Sequence, residues 1–168
     1  MALKILHAGC GKTGLPPQFE DAQETRLDIN PETGADVIAS MTDVGDIGPF
    51  DIVYCAHALE HLTPASVKKA LAEFKRVLKP GGFAVIAVPD LEDIKPTSDV
   101  LYVSDIGPIT GHDIYFGHGP SVDEYEYMRH HSGFMQASLI QALADAGFTD
   151  CQARRIPGYQ LIGTGCNG

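Results

Sequence analysis

The residues best suited to chemistry are a glycine turn and a carboxylate near the start of the chain. Gly9, Gly11 and Gly14 spell GxGxxG directly after the apolar run 3–6, and Asp28 follows at about the distance expected of a ribose-binding carboxylate. Backbone N–H groups of such a turn can approach a ligand, and the carboxylate can accept hydrogen bonds from ribose hydroxyls. The spacing predicts a nucleotide-binding site, although a tight turn without a ligand carries the same glycines.

A second candidate feature is the triplet His57, Glu60 and His61. Its spacing of i, i+3 and i+4 would put the side chains on one face of a helix, where they could bind a divalent metal. The surrounding residues predict no clear helix, so a structural role is favoured and no metal site is expected. Histidine can also act as a general base, because its pKa lies near neutrality, and the candidates for that role are His57, His61, His118 and His130.

A P-loop is excluded by spacing. Gly11, Lys12 and Thr13 match the end of that motif, but Leu6 stands where the motif requires its first glycine. The chain is therefore not expected to be a P-loop NTPase.

These residues need a sheet to position them. Strand-like runs alternate with turns and helical patterns, which is typical of a mostly parallel sheet with helices on both faces. After the opening strand, apolar runs predict strands over 24–29, 36–40, 50–55 and 83–88. A helix is predicted from the N-cap Thr63 to about Lys79, because Pro64 suits its first position and residues 80–82, Pro-Gly-Gly, end it.

The end of the chain predicts one more helix and a hairpin. Apolar residues recur at helical spacing over 136–146, and Gly147 suits the cap. Two strands, 151–156 and 159–164, are joined only by Pro157 and Gly158. So short a turn makes the two strands antiparallel.

Residues 90–133 are too long to be a simple connection. They are rich in Gly, Pro, His, Tyr and Asp and show little periodicity. Segments of this length are usually lids, binding loops or disordered, and the aromatic content favours order. We therefore expect an insert or lid at about 90–133.

Length and composition indicate one cytoplasmic domain over residues 1–168. The chain is long enough for a single core, and no apolar run could span a membrane. The net charge of −10 argues against nucleic acid as a partner. The four cysteines lack CxxC pairing, which favours a reducing, cytoplasmic setting, and Cys10 and Cys55 are expected to be small core residues.

Five segments in order carry a family resemblance. They are LHAGCG at 6–11, LDINP at 27–31, FDIV at 50–53, LEHL at 59–62 and RVLKPGGF at 76–83. Together they resemble the class I S-adenosylmethionine-dependent methyltransferases, specifically the small type 11 methyltransferase-domain proteins. The resemblance implies a Rossmann-like fold whose seven-stranded, mainly parallel sheet ends in an antiparallel hairpin, with helices on both faces.

The resemblance also implies which residues bind S-adenosylmethionine. The glycine turn would pass under the amino-acid end of the cofactor, and Asp28 with neighbouring Ile29 would hold the ribose. The segment after the third strand would flank the adenine. The end of the fourth strand would line the sulfonium. The residues so implied are Ala8, Gly9, Cys10, Gly11, Asp28, Ile29, Met41, Thr42, Asp43, Ala56 and His57. All of them follow strands of the predicted sheet, where open parallel sheets bind ligands.

The chain departs from the family pattern at three points. His7 stands where an acidic residue is common, and Pro16 with Pro17 interrupts the helix expected after the glycine turn. The first strand opens the chain, so a cover over the cofactor is expected from residues 90–133 or from a partner subunit, or is absent.

The predicted function is methyl transfer from S-adenosylmethionine to a small-molecule acceptor. In that reaction His118 and His130, within the 90–133 segment, are the stronger candidates for contacting the acceptor. His57 is expected beside the cofactor, and His61 is expected to have a structural role. One alternative is a non-catalytic S-adenosylmethionine-binding or regulatory protein of the same fold. A nicotinamide-dependent oxidoreductase or epimerase is a second alternative. No membrane partner is expected, and a homodimer is left open.

Overall fold

Seven strands of the chain form one main sheet. The computed structural model describes residues 2–168, whose strands are β1 Lys4–Ala8, β2 Gln23–Asp28, β3 Val37–Ile38, β4 Phe50–Ala56, β5 Leu78–Pro89, β6 Val100–Ser104, β7 Gly107–Thr110, β8 Thr149–Ile156 and β9 Gln160–Cys166. The order in the sheet is β3-β2-β1-β4-β5-β9-β8. Strands β1 to β5 pair in parallel and β9 pairs antiparallel to β5 and β8, which confirms the predicted sheet and terminal hairpin.

The two longest helices pack on one face of this sheet. They are α1 Pro64–Val77, with Thr63 accepting a hydrogen bond from the Ser66 N–H as N-cap, and α4 Gln136–Asp145. Their buried side chains join one core with alternate residues of the central strands. An added Cβ at Gly163 of β9 would lie 2.7 Å from Leu139, so α4 packs directly against the strand backbone. The apolar stripe predicted for α1 is buried, including Phe74 at 0% exposure.

No α-helix within residues 2–168 covers the other face at the place expected between β1 and β2. The chain forms there only a 3-10 helix, Pro17–Phe19, because Pro16 and Pro17 offer no backbone N–H to a helical ladder. Phe19 approaches Tyr54 of β4 with ring centroids 6.1 Å apart. Further along this face Phe83 is 49% exposed. The helices expected on both faces are thus concentrated on one.

The junction of α1 and β5 lies earlier than predicted. The helix ends at Val77, and β5 begins at Leu78, which pairs with Phe50 of β4. Residues 79–82 therefore belong to the strand instead of forming only a turn. An added Cβ at Gly82 would lie 2.9 Å from the carbonyl oxygen of Asp51, so glycine permits the close approach of the two strands.

Residues 90–133 form a small subdomain with secondary structure of its own. They contain the hairpin of β6 and β7, the helices α2 Gly111–Phe116 and α3 Gly119–Glu124, and a 3-10 helix, Glu126–Met128. Their small core joins Ile94, Ile109 and Ile114. No helix within residues 2–168 has the length and apolar character needed to cross a membrane.

Candidate functional site at the strand ends

The glycine turn has a backbone that favours glycine at two positions. Gly9 and Gly11 have φ of +66° and +51°, in the left-handed region. The N–H groups of Gly9 and Cys10 both donate to the carbonyl of Leu27, at 2.8 and 3.1 Å, which ties the turn to the end of β2. A Cβ at Gly9 would overlap that of Ala58, whereas a Cβ at Gly11 would meet nothing within 4 Å. The space beside Gly11 is therefore open to a ligand.

Asp28 is fixed at the end of β2 beside this turn. Its carboxylate accepts the N–H of Gly11 on one oxygen and the N–H of Asn30 on the other, each at 2.8 Å. The residue is only 9% exposed. Each carboxylate oxygen has further acceptor capacity, so this arrangement leaves sites for two hydroxyl donors.

Arg26 holds the glycine turn from the neighbouring strand. Its guanidinium donates to the carbonyl oxygens of Thr13 and Gly11, at 2.7 and 2.8 Å. The sequence analysis missed this residue, since an arginine in a strand carries no spacing signal that points to a loop 15 residues earlier. The forked guanidinium thus bridges two carbonyl groups of the turn.

Met41 lies beside the turn, and its neighbours form a tight loop. The Met41 sulfur lies 3.8 Å from that of Cys55 and 3.6 Å from the position of a Cβ on Gly9. Thr42 and Asp43 are held by Ser40, through hydroxyls 2.8 Å apart and an N–H to carbonyl bond of 3.0 Å.

Cys10 and Cys55 are 1% and 0% exposed, which confirms them as core residues. Burial raises the pKa of both thiols, so they are poor nucleophiles.

His57 follows β4 in a conformation rare for a residue with a side chain. Its φ is +50°, and its N–H donates to the carbonyl of Ala87 at 2.9 Å. The ring is 47% exposed, and its Nδ1 lies 3.6 Å from Glu60. Burial acts to lower the pKa of His57, but contact with the Glu60 carboxylate outweighs it and the pKa is raised. Ala56, which precedes it, is partly buried at the same strand end.

Three of the four histidine candidates come together. The rings of His61 and His130 have centroids 5.0 Å apart, and Glu60 lies with them and His57. Burial lowers the pKa of His130. His118 lies apart from this group, because it precedes α3 and its Nδ1 bonds the hydroxyl of Ser121 at 2.9 Å.

Residues 125–132 run across the strand ends. The Tyr127 hydroxyl accepts from the Asn30 amide at 2.8 Å, and the Tyr125 hydroxyl donates to Glu32 at 3.1 Å, which raises the pKa of Tyr125 to about 12. At the other end, the N–H groups of His131 and Ser132 donate to the carbonyl of Glu60. The segment thus connects the loop after β2 with the loop after β4.

His7 does not face this site. It is 2% exposed and lies in β1 between Glu24, 2.7 Å from its Nδ1, and the ring of Tyr54. Burial lowers its pKa against the opposing effect of Glu24. The buried imidazole therefore packs between side chains of the two neighbouring strands, where it is poorly placed to replace the acidic residue of the family pattern.

A groove of about 970 Å³ lies elsewhere, between α1 and α4. None of the residues implied to bind the cofactor lines it. The candidate site is thus defined by backbone geometry and by Asp28, with the polar groups converging at the strand ends.

Part of the sequence is similar to known methyltransferases. Residues 6–86 match a family model described as methyltransferase domain. A curated relative, probable methyltransferase ltbC of Aspergillus luteorubrus, is 59% identical over 34 residues. That alignment covers 20% of this chain and only 12% of the relative.

Comparison of structures gives the same fold. A methyltransferase of Mesorhizobium loti, described as S-adenosylmethionine dependent, has a TM-score of 0.67 at 15% identity, over 98% of this chain and 91% of its own. The 1,6-didemethyltoxoflavin-N1-methyltransferase of Burkholderia thailandensis, solved with its acceptor and S-adenosylhomocysteine, has a TM-score of 0.65 at 19% identity, over 98% and 71%. The fold is the Rossmann-like class I methyltransferase fold.

Proposed function

We propose that this chain, whose residues 6–86 match the model of a methyltransferase domain, transfers a methyl group from S-adenosylmethionine to a small-molecule acceptor. The observation that carries the proposal is the contact of the Gly11 N–H with Asp28 beside open space. That arrangement fits an adenosyl group, because the carboxylate keeps acceptor capacity for ribose hydroxyls while the turn leaves room above its backbone.

The protein would act mainly by aligning the reacting atoms and by excluding water from them. The cofactor supplies a methyl group already activated on a positively charged sulfur, so the reaction needs reacting atoms in line more than it needs a nucleophile from the protein. Ala8, Gly9, Cys10 and Gly11 would bind the amino-acid end. Asp28 and Ile29 would hold the ribose, Met41 with Thr42 and Asp43 would flank the adenine, and Ala56 with His57 would lie at the sulfonium.

In this proposal His57 would receive a proton from the acceptor. Its ring is half exposed at the end of β4, and the Glu60 carboxylate stabilises its protonated form. Residues 125–132 would serve as the cover, since they bridge the two loops that flank the turn. His118 lies apart from this group, which leaves His57 and the neighbouring His61 and His130 as candidates.

We also propose a small-molecule acceptor and a cytoplasmic setting. The net charge of −10 disfavours nucleic acid, and the relative from Burkholderia thailandensis is named for a small acceptor. The four cysteines are free thiols, as a reducing compartment would keep them. The sheet face that exposes Phe83 is a candidate for pairing with a second copy, which sedimentation velocity over a concentration range would detect.

Calorimetric titration with S-adenosylmethionine, S-adenosylhomocysteine and NAD tests the cofactor. We expect both adenosyl ligands to bind and NAD not to bind, and binding of NAD alone would contradict the proposal. Turnover is then measured as release of S-adenosylhomocysteine with a library of small hydroxyl, amine and thiol acceptors. Binding without turnover on any acceptor would instead support a non-catalytic protein of this fold.

A further inference from the structure

A buried carboxylate and two imidazoles meet between the end of β4 and the segment that crosses it. Glu60, His61 and His130 each offer one ligand atom, and the three atoms lie within 4.8 Å of one another. Glu60 and His61 belong to the 3-10 helix Leu59–His61, whereas His130 comes from a segment almost 70 residues later. The fold, not local sequence, brings the three together.

The buried carboxylate of Glu60 is only partly satisfied by hydrogen bonds within residues 2–168. It is 2% exposed, and its Oε2 atom is buried without any hydrogen-bond partner among residues 2–168. Its other oxygen lies 3.6 Å from His57. A buried carboxylate oxygen with no partner costs free energy, and a bound cation would remove that cost.

Both histidines are oriented as metal ligands usually are. The Nδ1 of His130 lies 2.8 Å from the carbonyl oxygen of Ile114, and the Nδ1 of His61 lies 3.4 Å from that of Arg129. When Nδ1–H donates to a backbone carbonyl, Nε2 keeps its lone pair for a metal. With Nδ1–H donating to these backbone carbonyls, both rings would keep Nε2 free for a metal.

We propose that Glu60, His61 and His130 form a binding site for a divalent transition metal of the Zn²⁺ class. Two imidazole nitrogens with one carboxylate oxygen favour such an ion over Mg²⁺ or Ca²⁺, which prefer oxygen ligands. Zinc with ligands at about 2.0 to 2.2 Å needs ligand atoms about 3.3 Å apart, so separations of up to 4.8 Å in the cluster would close by at most about 1.5 Å. Three protein ligands leave a coordination position for water or for an oxygen of a small molecule.

Metal binding is measured directly on the full chain after treatment with a chelator. Calorimetry with Zn²⁺ is expected to show one site, and Co²⁺ is expected to give visible ligand-field absorption without thiolate-to-metal charge transfer, because no cysteine belongs to the cluster. Thiolate charge transfer would overturn the proposal, since it would place the ion on cysteine. Weaker binding of Mg²⁺ than of Zn²⁺ is the third expected result.

Variants assign the ligands. Glu60→Gln and His130→Ala should each weaken Zn²⁺ binding at least about tenfold. His112→Ala is the matched control, because His112 is exposed on α2 and contacts the ring of Phe116 outside the cluster. Equal affinity of His130→Ala and the unchanged chain would overturn the proposal, as would an equal loss in His112→Ala.

Folding and cofactor binding are checked separately. Circular dichroism identifies a variant that has unfolded, and the partly exposed His61 supplies His61→Ala as a replacement for Glu60→Gln in that case. The metal titration needs neither S-adenosylmethionine nor an acceptor. Its failure would therefore leave the proposed methyl transfer untouched, and a chain that binds Zn²⁺ but no adenosyl ligand would separate the two proposals.

Discussion

At the scale of single residues, the site depends on a backbone that bends twice through positive φ. Gly9 has both a left-handed conformation and a neighbour, Ala58, at the position of a side chain. Gly11 shares the conformation but faces open space. Gly14 has neither constraint, so the third glycine of the GxGxxG pattern contributes least to the turn.

This difference predicts unequal effects of alanine. We expect Gly9→Ala to lower the free energy of unfolding by about 2 to 4 kcal/mol, because it adds both backbone strain and a steric overlap. Gly14→Ala is the control and should stay within about 0.5 kcal/mol of the unchanged chain. Urea unfolding followed by circular dichroism measures both, and equal stabilities would show that the turn is not packed as described.

A second prediction at this scale concerns pH. Burial holds the pKa of His7 below its usual 6.5, so the unfolded chain takes up a proton before the folded chain does as the pH falls. The contribution of His7 to stability is therefore present above about pH 6.5 and is lost as the pH falls toward its folded pKa. Between about pH 7.5 and 5.5, the melting temperature should fall less in His7→Asn, which keeps a donor for Glu24 but does not titrate. An identical fall in both proteins would contradict this assignment.

At the scale of elements, patterns that depend on neighbouring residues were predictable and contacts across the fold were not. The turn–carboxylate spacing and the N-cap Thr63 are local signals, and the structure has both. The terminal hairpin is antiparallel as predicted, but its turn has three residues, 157–159, instead of two, because β9 begins at Gln160. The elements inside 90–133 lack a strong period because they are short and their core is small. The sequence likewise could not show that Arg26 holds the turn or that His130 joins His61.

The segment 125–132 yields a prediction at this scale. Tyr127→Phe removes its hydrogen bond with Asn30, which should raise the hydrogen-exchange rate of the amides in this segment about two- to tenfold. The amides of α4 should not change. Tyr159→Phe, in the exposed turn between β8 and β9, is the control. Unchanged exchange in Tyr127→Phe would mean that this contact does not hold the segment over the strand ends.

At the scale of the whole molecule, the two faces of the main sheet are covered differently. The face of α1 and α4 holds the main core, while among residues 2–168 the opposite face has only a 3-10 helix at the place where Pro16 and Pro17 interrupt the expected α-helix. The subdomain of residues 90–133 lies at the carboxyl ends of the parallel strands, where the turn and Asp28 converge. The resemblance predicted the mainly parallel sheet and its antiparallel hairpin, but it did not predict this uneven cover.

The central claim is that the glycine turn and Asp28 bind an adenosyl cofactor. Calorimetric titration of S-adenosylhomocysteine into the unchanged chain and into Asp28→Ala tests it most directly, with Asp21→Ala, an exposed carboxylate in the same stretch, as control. We expect binding by the unchanged chain and by Asp21→Ala, and at least about tenfold weaker binding by Asp28→Ala, because charged hydrogen bonds worth roughly 1.5 to 3 kcal/mol are lost. Equal affinity in all three proteins, or no binding by the unchanged chain, would contradict the claim.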